Sequence, residues 1–304
     1  MAEAYKNQHI VPQAYLNRFA EHKGNKYIIG TRLKAKSSGA VKFFPRAVSD
    51  VAYRENYYDT TEQDDPKHWE HFLDKTFDRL CGRPLENLIS RITLTPHDRF
   101  ALTPEETNLL ATIIFSQIVR VPSFLENQMR RVKRTASAYK FNLFSEMPNL
   151  SLHAKQLIES KFSSTDEIKN LVLEHSFDAT YFEKYCSVLK SRQWGVYFNS
   201  ISNYLPFVTS DNPVLMLDAQ GQAVNLTDLG LTSSQLFIFF PLSPSILVGV
   251  LPPHEKLKEV NGKRIILSKK HIKLIMDLNM NLIENSYIHS FLPEPLFSIA
   301  KEAV

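Results

Sequence analysis

From Asp64 to Arg192 the apolar residues recur every three to four positions, whereas from Gln193 to Leu267 they alternate or run in short blocks. The first period is that of helices buried on one face, and the second is that of strands. A doubly wound sheet needs helices and strands in alternation. This chain segregates them, so the expected fold class is α+β. In the helical stretch Trp69, Phe72, Leu73, Phe77, Leu80 and Leu88 carry the period. Thr103-Pro104-Glu105-Glu106 then predicts a helix start: a Thr to cap, a Pro whose missing N–H costs nothing in a first turn, and acids against the positive end of the dipole. That helix is apolar on most sides as far as Pro122, which predicts a central position. Further helices are expected over Ser123–Tyr139, Leu152–Phe162, Thr165–Leu173 and Phe177–Arg192. Strands are expected at Trp194–Phe198, Phe207–Thr209, Val214–Leu217, Leu236–Phe240, Ile246–Leu251 and Arg264–Leu267. An amphipathic helix over Lys269–Ser290 follows.

The N-terminal part mixes both periods. Pro12–Phe19 reads as a short helix with Tyr15, Leu16 and Phe19 on one face. Lys26–Leu33 alternates as a strand after the Lys23-Gly24-Asn25 turn. Val41–Phe44 and Val51–Tyr58 read as extended, and Pro241-Leu242-Ser243-Pro244 as a turn between buried strands. The parts are read as one domain over 1–300: an α/β start (1–62), a helical middle (63–192), and a β-rich part with a final helix (193–304). Hydrophobic residues (43%) outnumber charged ones (22%), and Phe (20) and Tyr (12) outnumber Gly (9). Such a chain can fill a large core, and its composition excludes disorder.

A net charge of +4 does not by itself imply nucleic acid. The clusters Arg130, Arg131, Lys133, Arg134 and Lys263, Arg264, Lys269, Lys270, Lys273 are read as solvated faces. Cys81 and Cys186 are too few for a disulfide framework or a cysteine zinc site and are expected as free core thiols. Met1–Lys6 opens no apolar leader, and no apolar run is long enough to span a bilayer. A cytoplasmic location without a membrane partner is expected.

Three segments carry candidate chemistry. His9, in Gln8-His9-Ile10-Val11-Pro12, stands just before a helix start, where it can act as acid or base or simply fix the N-terminus. Gln117 and Arg120 share one face of an apolar helix; there they form either an anion clamp or a structural pair with a buried carboxylate. Thr209-Ser210-Asp211-Asn212-Pro213 ends a strand in small polar residues, which is equally the composition of a turn. Three asparagines in the last helix, Asn279, Asn281 and Asn285, are unusual for a helix and are expected to hydrogen-bond neighbouring loops. Arg54-Glu55-Asn56-Tyr57-Tyr58 supplies side chains able to reach a cleft.

Together, Gln8-His9-x-x-Pro12-x-x-Tyr15-Leu16-x-x-Phe19, Gln117-x-x-Arg120-x-Pro122, Thr209-Ser210-Asp211-Asn212-Pro213 and Pro241-Leu242-Ser243-Pro244 resemble the bacterial domain-of-unknown-function family numbered 4238, over about residues 5–290. Tyr57 or Tyr58 and Glu70 also look like family positions. Where the family tends to have Arg-Thr-Pro, this chain has Arg120-Val121-Pro122, so no hydroxyl serves there. The resemblance supplies no reaction. It implies that polar residues from distant segments recur together and meet in one pocket.

The expected function is a metal-independent, nuclease-like or phosphoester hydrolase acting on RNA, DNA or a nucleotide, in the manner of a bacterial defence or toxin effector. His9, Asp211 and Arg120 are its expected catalytic residues. Gln8, Gln117, Ser210, Asn212, Tyr58 and Asn285 are the expected substrate contacts. No metal or cofactor is expected, since no ligand spacing is diagnostic. A phosphate-bearing substrate, nucleic acid, a protein partner or a second copy are the partners considered. The chain lacks a Walker loop, a His-Glu-x-x-His segment and a Gly-x-Ser-x-Gly elbow, which removes the commonest hydrolase classes. The alternative is a non-catalytic sensor or adaptor for a small anion or a protein. A third reading makes the motifs a buried polar network that specifies the fold.

Overall fold

The computed structural model describes residues 7–33, 43–61, 64–96, 99–147, 149–160, 164–226 and 229–293. Three sheets and nine α-helices are formed among them. The strands are β1 (Asn7–His9), β2 (Glu21–Lys23), β3 (Lys26–Leu33), β4 (Phe43–Ala47), β5 (Tyr53–Glu55), β6 (Gln193–Asn199), β7 (Thr209–Ser210), β8 (Leu215–Leu217), β9 (Phe237–Ser243), β10 (Ile246–Leu251), β11 (Arg264–Leu267) and β12 (His289–Leu292). The helices are α1 (Gln13–Leu16), α2 (His68–Thr76), α3 (Arg83–Leu94), α4 (Pro104–Arg120), α5 (Pro122–Glu146), α6 (Leu152–Ser160), α7 (Thr165–Phe177), α8 (Ala179–Lys190) and α9 (Ile272–Glu284). The α+β class and its order match the sequence reading. Val41 and Lys42, within one expected strand, lie outside the described residues.

The capping box at Thr103 forms as its residue types require. Thr103 accepts the Glu106 N–H, and Glu106 accepts the Thr103 N–H at 2.9 Å. From Leu110 to Arg120 almost every residue of α4 is buried, so α4 is the central helix. Its partner sheet runs β11-β6-β10-β9-β8, antiparallel except for β11 against β6. Successive residues of β10 feed opposite layers. Val248 and Val250 join the main core with α4, while Leu247 joins a second core under α9 with Ile275 and Leu282. Gly195 and Gly249 sit opposite each other across β6 and β10. A Cβ on Gly249 would lie 2.9 Å from the Tyr197 ring, so only glycine lets that ring lie flat on the sheet.

The second sheet, β2-β3-β12-β7 with β4 also on β3, joins strands from the N-terminal part to β12, more than 250 residues beyond β3. The expected last helix stops at Glu284, and His289–Leu292 is instead β12. β9 runs through Pro241 to Ser243, so the expected turn there is confined to Pro244 and Ser245. Of the expected extended run Val51–Tyr58, only Tyr53–Glu55 is strand. Ala52 (φ 53°) and Asn56 (φ 50°) turn the backbone left-handed on either side of it. Cys81 and Cys186 are free and buried, and burial pushes both thiols up to about 12. Among the described residues no single helix is long and apolar enough to cross a membrane.

Candidate functional site

β1 pairs with β5 in the register Gln8↔Arg54, and its alternation sends Gln8 inward and leaves His9 half-buried. The Gln8 amide is consumed locally: its oxygen accepts the Tyr58 N–H and its nitrogen donates to Asp59. α4 then clamps the carbonyls that follow. Gln117 Nε2 donates to the Ile10 carbonyl at 3.0 Å, and Arg120 Nη2 to the His9 carbonyl at 2.7 Å. Arg120 also donates from Nε to the Tyr58 hydroxyl at 3.3 Å and from both terminal nitrogens to the Asp78 carboxylate. With 2% of the residue exposed, the guanidinium has no face left for an outside anion. Burial works against its charge, but Asp78 and Tyr58 more than offset this and hold it protonated. Of the two sequence readings of Arg120, the geometry is that of the structural pair.

At the rim of this cluster stand two groups whose protonation is shifted from the ordinary values. His9 shares its Nε2 with the Gln13 amide at 3.1 Å, and burial, aided by Arg120, lowers its pKa against the pull of Ser49 and Asp78. Glu70, on α2, has a buried carboxylate oxygen, Oε2, without a hydrogen-bond partner among the described residues. Burial pushes its carboxyl up to about 7; Arg120 opposes this, and Asp78 and Asp74 add to it. Asp78 is the residue the sequence reading missed. A lone acid in an amphipathic run looks like any solvated residue until its partner is located.

The second polar cluster is built at the end of β7. The Asp211 carboxylate accepts three consecutive backbone N–H groups, from Tyr287 at 2.7 Å and from Ile288 and His289 at 2.8 Å each. Burial raises its carboxyl while these donors and His289 pull it back. Ser210 Oγ accepts the Asn212 N–H at 3.1 Å. Asn212 and Asn285 bind each other's backbone carbonyls, at 3.0 and 3.4 Å. Asn279 accepts the Val208 N–H at 3.1 Å and donates to the Pro206 carbonyl at 2.8 Å. Asn279 and Asn285 thus hold the loops as expected, while Asn281 turns back to its own helix at Asp277.

The motifs do meet, through a residue not singled out for the site. The Tyr15 hydroxyl, 1% exposed, bonds Thr209 Oγ1 at 2.8 Å and the Pro241 carbonyl at 2.7 Å, tying three motifs together. A second bridge is Arg54, which lies over the Tyr287 ring at 4.6 Å and 3.6 Å from Glu126, itself bonded to the Tyr287 hydroxyl. Among the described residues no hydrogen bond or ion pair joins His9 to Asp211. The charges felt by His9 are Asp78 and Arg120, and the one felt by Asp211 is His289. Gln8, His9, Tyr58, Gln117 and Arg120 are therefore one cluster, and Ser210, Asp211, Asn212 and Asn285 another. Among the described residues no group of three or more His, Cys, Asp or Glu is arranged to hold a metal ion.

A larger opening is lined by residues outside both clusters. A groove of about 760 Å³ opens between α5 and α7, floored by Phe115, Val119 and Val172, with Gln128, Arg131 and His175 on its walls. Phe124 and Leu226 line both this groove and a small cavity of about 20 Å³, bordered by Asn127, Asn212, Asn225 and Asn285. Asn212 and Asn285 therefore stand behind the groove. The sequence carries no signal for it, because its lining comes one residue at a time from helices that read as ordinary amphipaths.

Fold and motifs define an α+β protein with a helical middle whose motif side chains brace one another across the core. The family model described as "Protein of unknown function (DUF4238)" matches residues 7–292, and the chain belongs to this family. No curated protein and no solved structure matches the chain.

Proposed function

We propose that the chain is a non-catalytic binding protein, a sensor or adaptor, that takes a small amphipathic anion in the groove between α5 and α7. The observation that carries this is the groove itself. Its volume of about 760 Å³ falls in the range of ligand sites, and its lining combines an apolar floor with polar side chains such as Gln128, Thr135 and His175 and the cation Arg131. The motif side chains that would compete as a site are spent on backbone groups of the chain. Anilinonaphthalene sulfonate, an aromatic body with one anionic group, tests the reading directly. Its fluorescence should rise saturably at one site per chain, and laurate should displace it. Ala136→Trp, which fills the groove from α5, should abolish the rise, and Arg131→Gln should weaken it about tenfold, as for one charged contact. Non-saturable fluorescence, or full binding by folded Ala136→Trp, overturns the proposal.

One observation favours a second reading, the nuclease-like or phosphoester hydrolase. His9 and Glu70 both face Arg120 and Asp78, with their protonation states pushed apart from the ordinary values. A neutral His9 would serve as base and a protonated Glu70 as acid. Base action is lost below the lowered pKa of His9, and acid action is lost above about 7, so the rate should be bell-shaped with its summit on the acid side of neutrality. Cleavage of bis-p-nitrophenyl phosphate or single-stranded RNA should fall about a hundredfold in Glu70→Gln and in His9→Ala. A rate unchanged in folded Glu70→Gln removes this reading.

A further inference from the structure

α5 has two faces, and the groove uses one. Gln128, Arg131, Val132, Thr135, Ala136 and Tyr139 line the groove. At about 100° per residue these cluster on one side of the helix. Arg130, Lys133 and Arg134 fall on the opposite side, and so does Phe141, with 72% of its surface exposed. From Asn127 to Ser145 the helix contains no acidic residue and five cations. Lys133 and Arg134 make no ion pair among the described residues, so their charges face solvent. Phe141 follows these cations on the same face, about two turns beyond Arg134.

We infer that the outer face of α5, from Arg130 to Phe141, is a binding track for single-stranded nucleic acid, with the cations on phosphates and Phe141 as a platform for a base. The stripe extends about 16 Å along the helix, enough for several phosphates. An exposed ring next to a basic stripe is what a strand with unstacked bases uses and a duplex does not. A membrane surface is a poorer match. Membrane-lying helices set charges beside a continuous apolar face, whereas here the outer face between Arg130 and Phe141 carries three cations and one exposed ring at its end. The opposite face of α5 is occupied by the groove, so half the helix circumference is offered, too little to enter a major groove as a free basic helix does.

The experiment uses the full chain and fluorescein-labelled oligo-dT and oligo-rU, read by anisotropy. Binding should weaken about thirtyfold between 50 and 200 mM salt, as expected for three to four phosphate contacts on a single strand. The double variant Lys133→Gln/Arg134→Gln should weaken it at least tenfold and flatten the salt dependence. Phe141→Ala should weaken it about tenfold at unchanged salt dependence, which a purely electrostatic surface would not show. Both changes lie on an exposed face, so circular dichroism and melting temperature should stay at the wild-type values. Preference for duplex over single strand, binding to phosphatidylserine vesicles in place of either oligonucleotide, or affinity untouched by the double variant each overturns the proposal. None of these outcomes bears on the groove, which anilinonaphthalene sulfonate reports separately.

Discussion

Arg120→Leu should destabilise the chain by about 3–5 kcal/mol, the cost of removing one partner from a buried ion pair and leaving the other uncompensated. The substitution strands the half-buried Asp78 carboxylate, the Tyr58 hydroxyl and the His9 carbonyl together. Domains of this kind have about 5–15 kcal/mol in hand, so the variant should lose a large part of its stability and show it as a lower urea midpoint at unchanged slope. Arg120→Lys should recover little, because an ammonium cannot supply the planar fork that reaches Asp78, Tyr58 and the carbonyl at once. Asp78→Asn keeps a neutral acceptor beside the guanidinium and should cost less than Arg120→Leu. An Arg120→Leu chain that melts like wild type but has lost binding of a phosphate ligand would reverse the assignment and restore the anion clamp.

How much of this could be read in advance depends on the range of the interaction. The Thr103 cap, the strand Lys26–Leu33 and the burial of α4 are encoded within a few residues, by side chains that satisfy their own neighbours, and they stand where the sequence puts them. β1, β2 and β12 were not legible. Each has three or four residues, too few to show a period; β1 and β12 find their partner strands far away in sequence, and β2 is only the short arm of a hairpin with β3. The site shows the same division. Three motifs touch, since Tyr15, Thr209 and Pro241 share one phenol, while the residues expected in one pocket fall into two clusters, one around Arg120 and one around Asp211. What they come together to do is set by groups that carry no sequence signal: the Asp78 carboxylate for Arg120, and the bare N–H groups of residues 287–289 for Asp211. Backbone donors have no letter in the sequence, so an Asp that caps a turn and an Asp that activates water look alike until the turn is placed.

Asp211 provides the sharper of the two tests for that reason. Three charge-assisted hydrogen bonds to consecutive N–H groups fix the turn between α9 and β12. Asp211→Ala leaves all three donors unsatisfied, at about 1–3 kcal/mol for each one that water cannot reach, so a total loss of about 3–4 kcal/mol is expected. Asp211→Asn keeps one acceptor oxygen but turns an NH₂ towards the remaining donors, and should recover less than half of that loss. The loss should also be local in its signature. Amide exchange at Tyr287, Ile288 and His289 should accelerate first, followed by β12, because β12 follows this turn directly and pairs with β3 and β7. Protection in α4 should fall only as far as global stability does. A catalytic Asp211 would behave in the opposite way: its removal would leave exchange at these three amides slow and abolish a reaction. The two roles are thus separated by one hydrogen-exchange measurement on a single variant, even before any substrate is known.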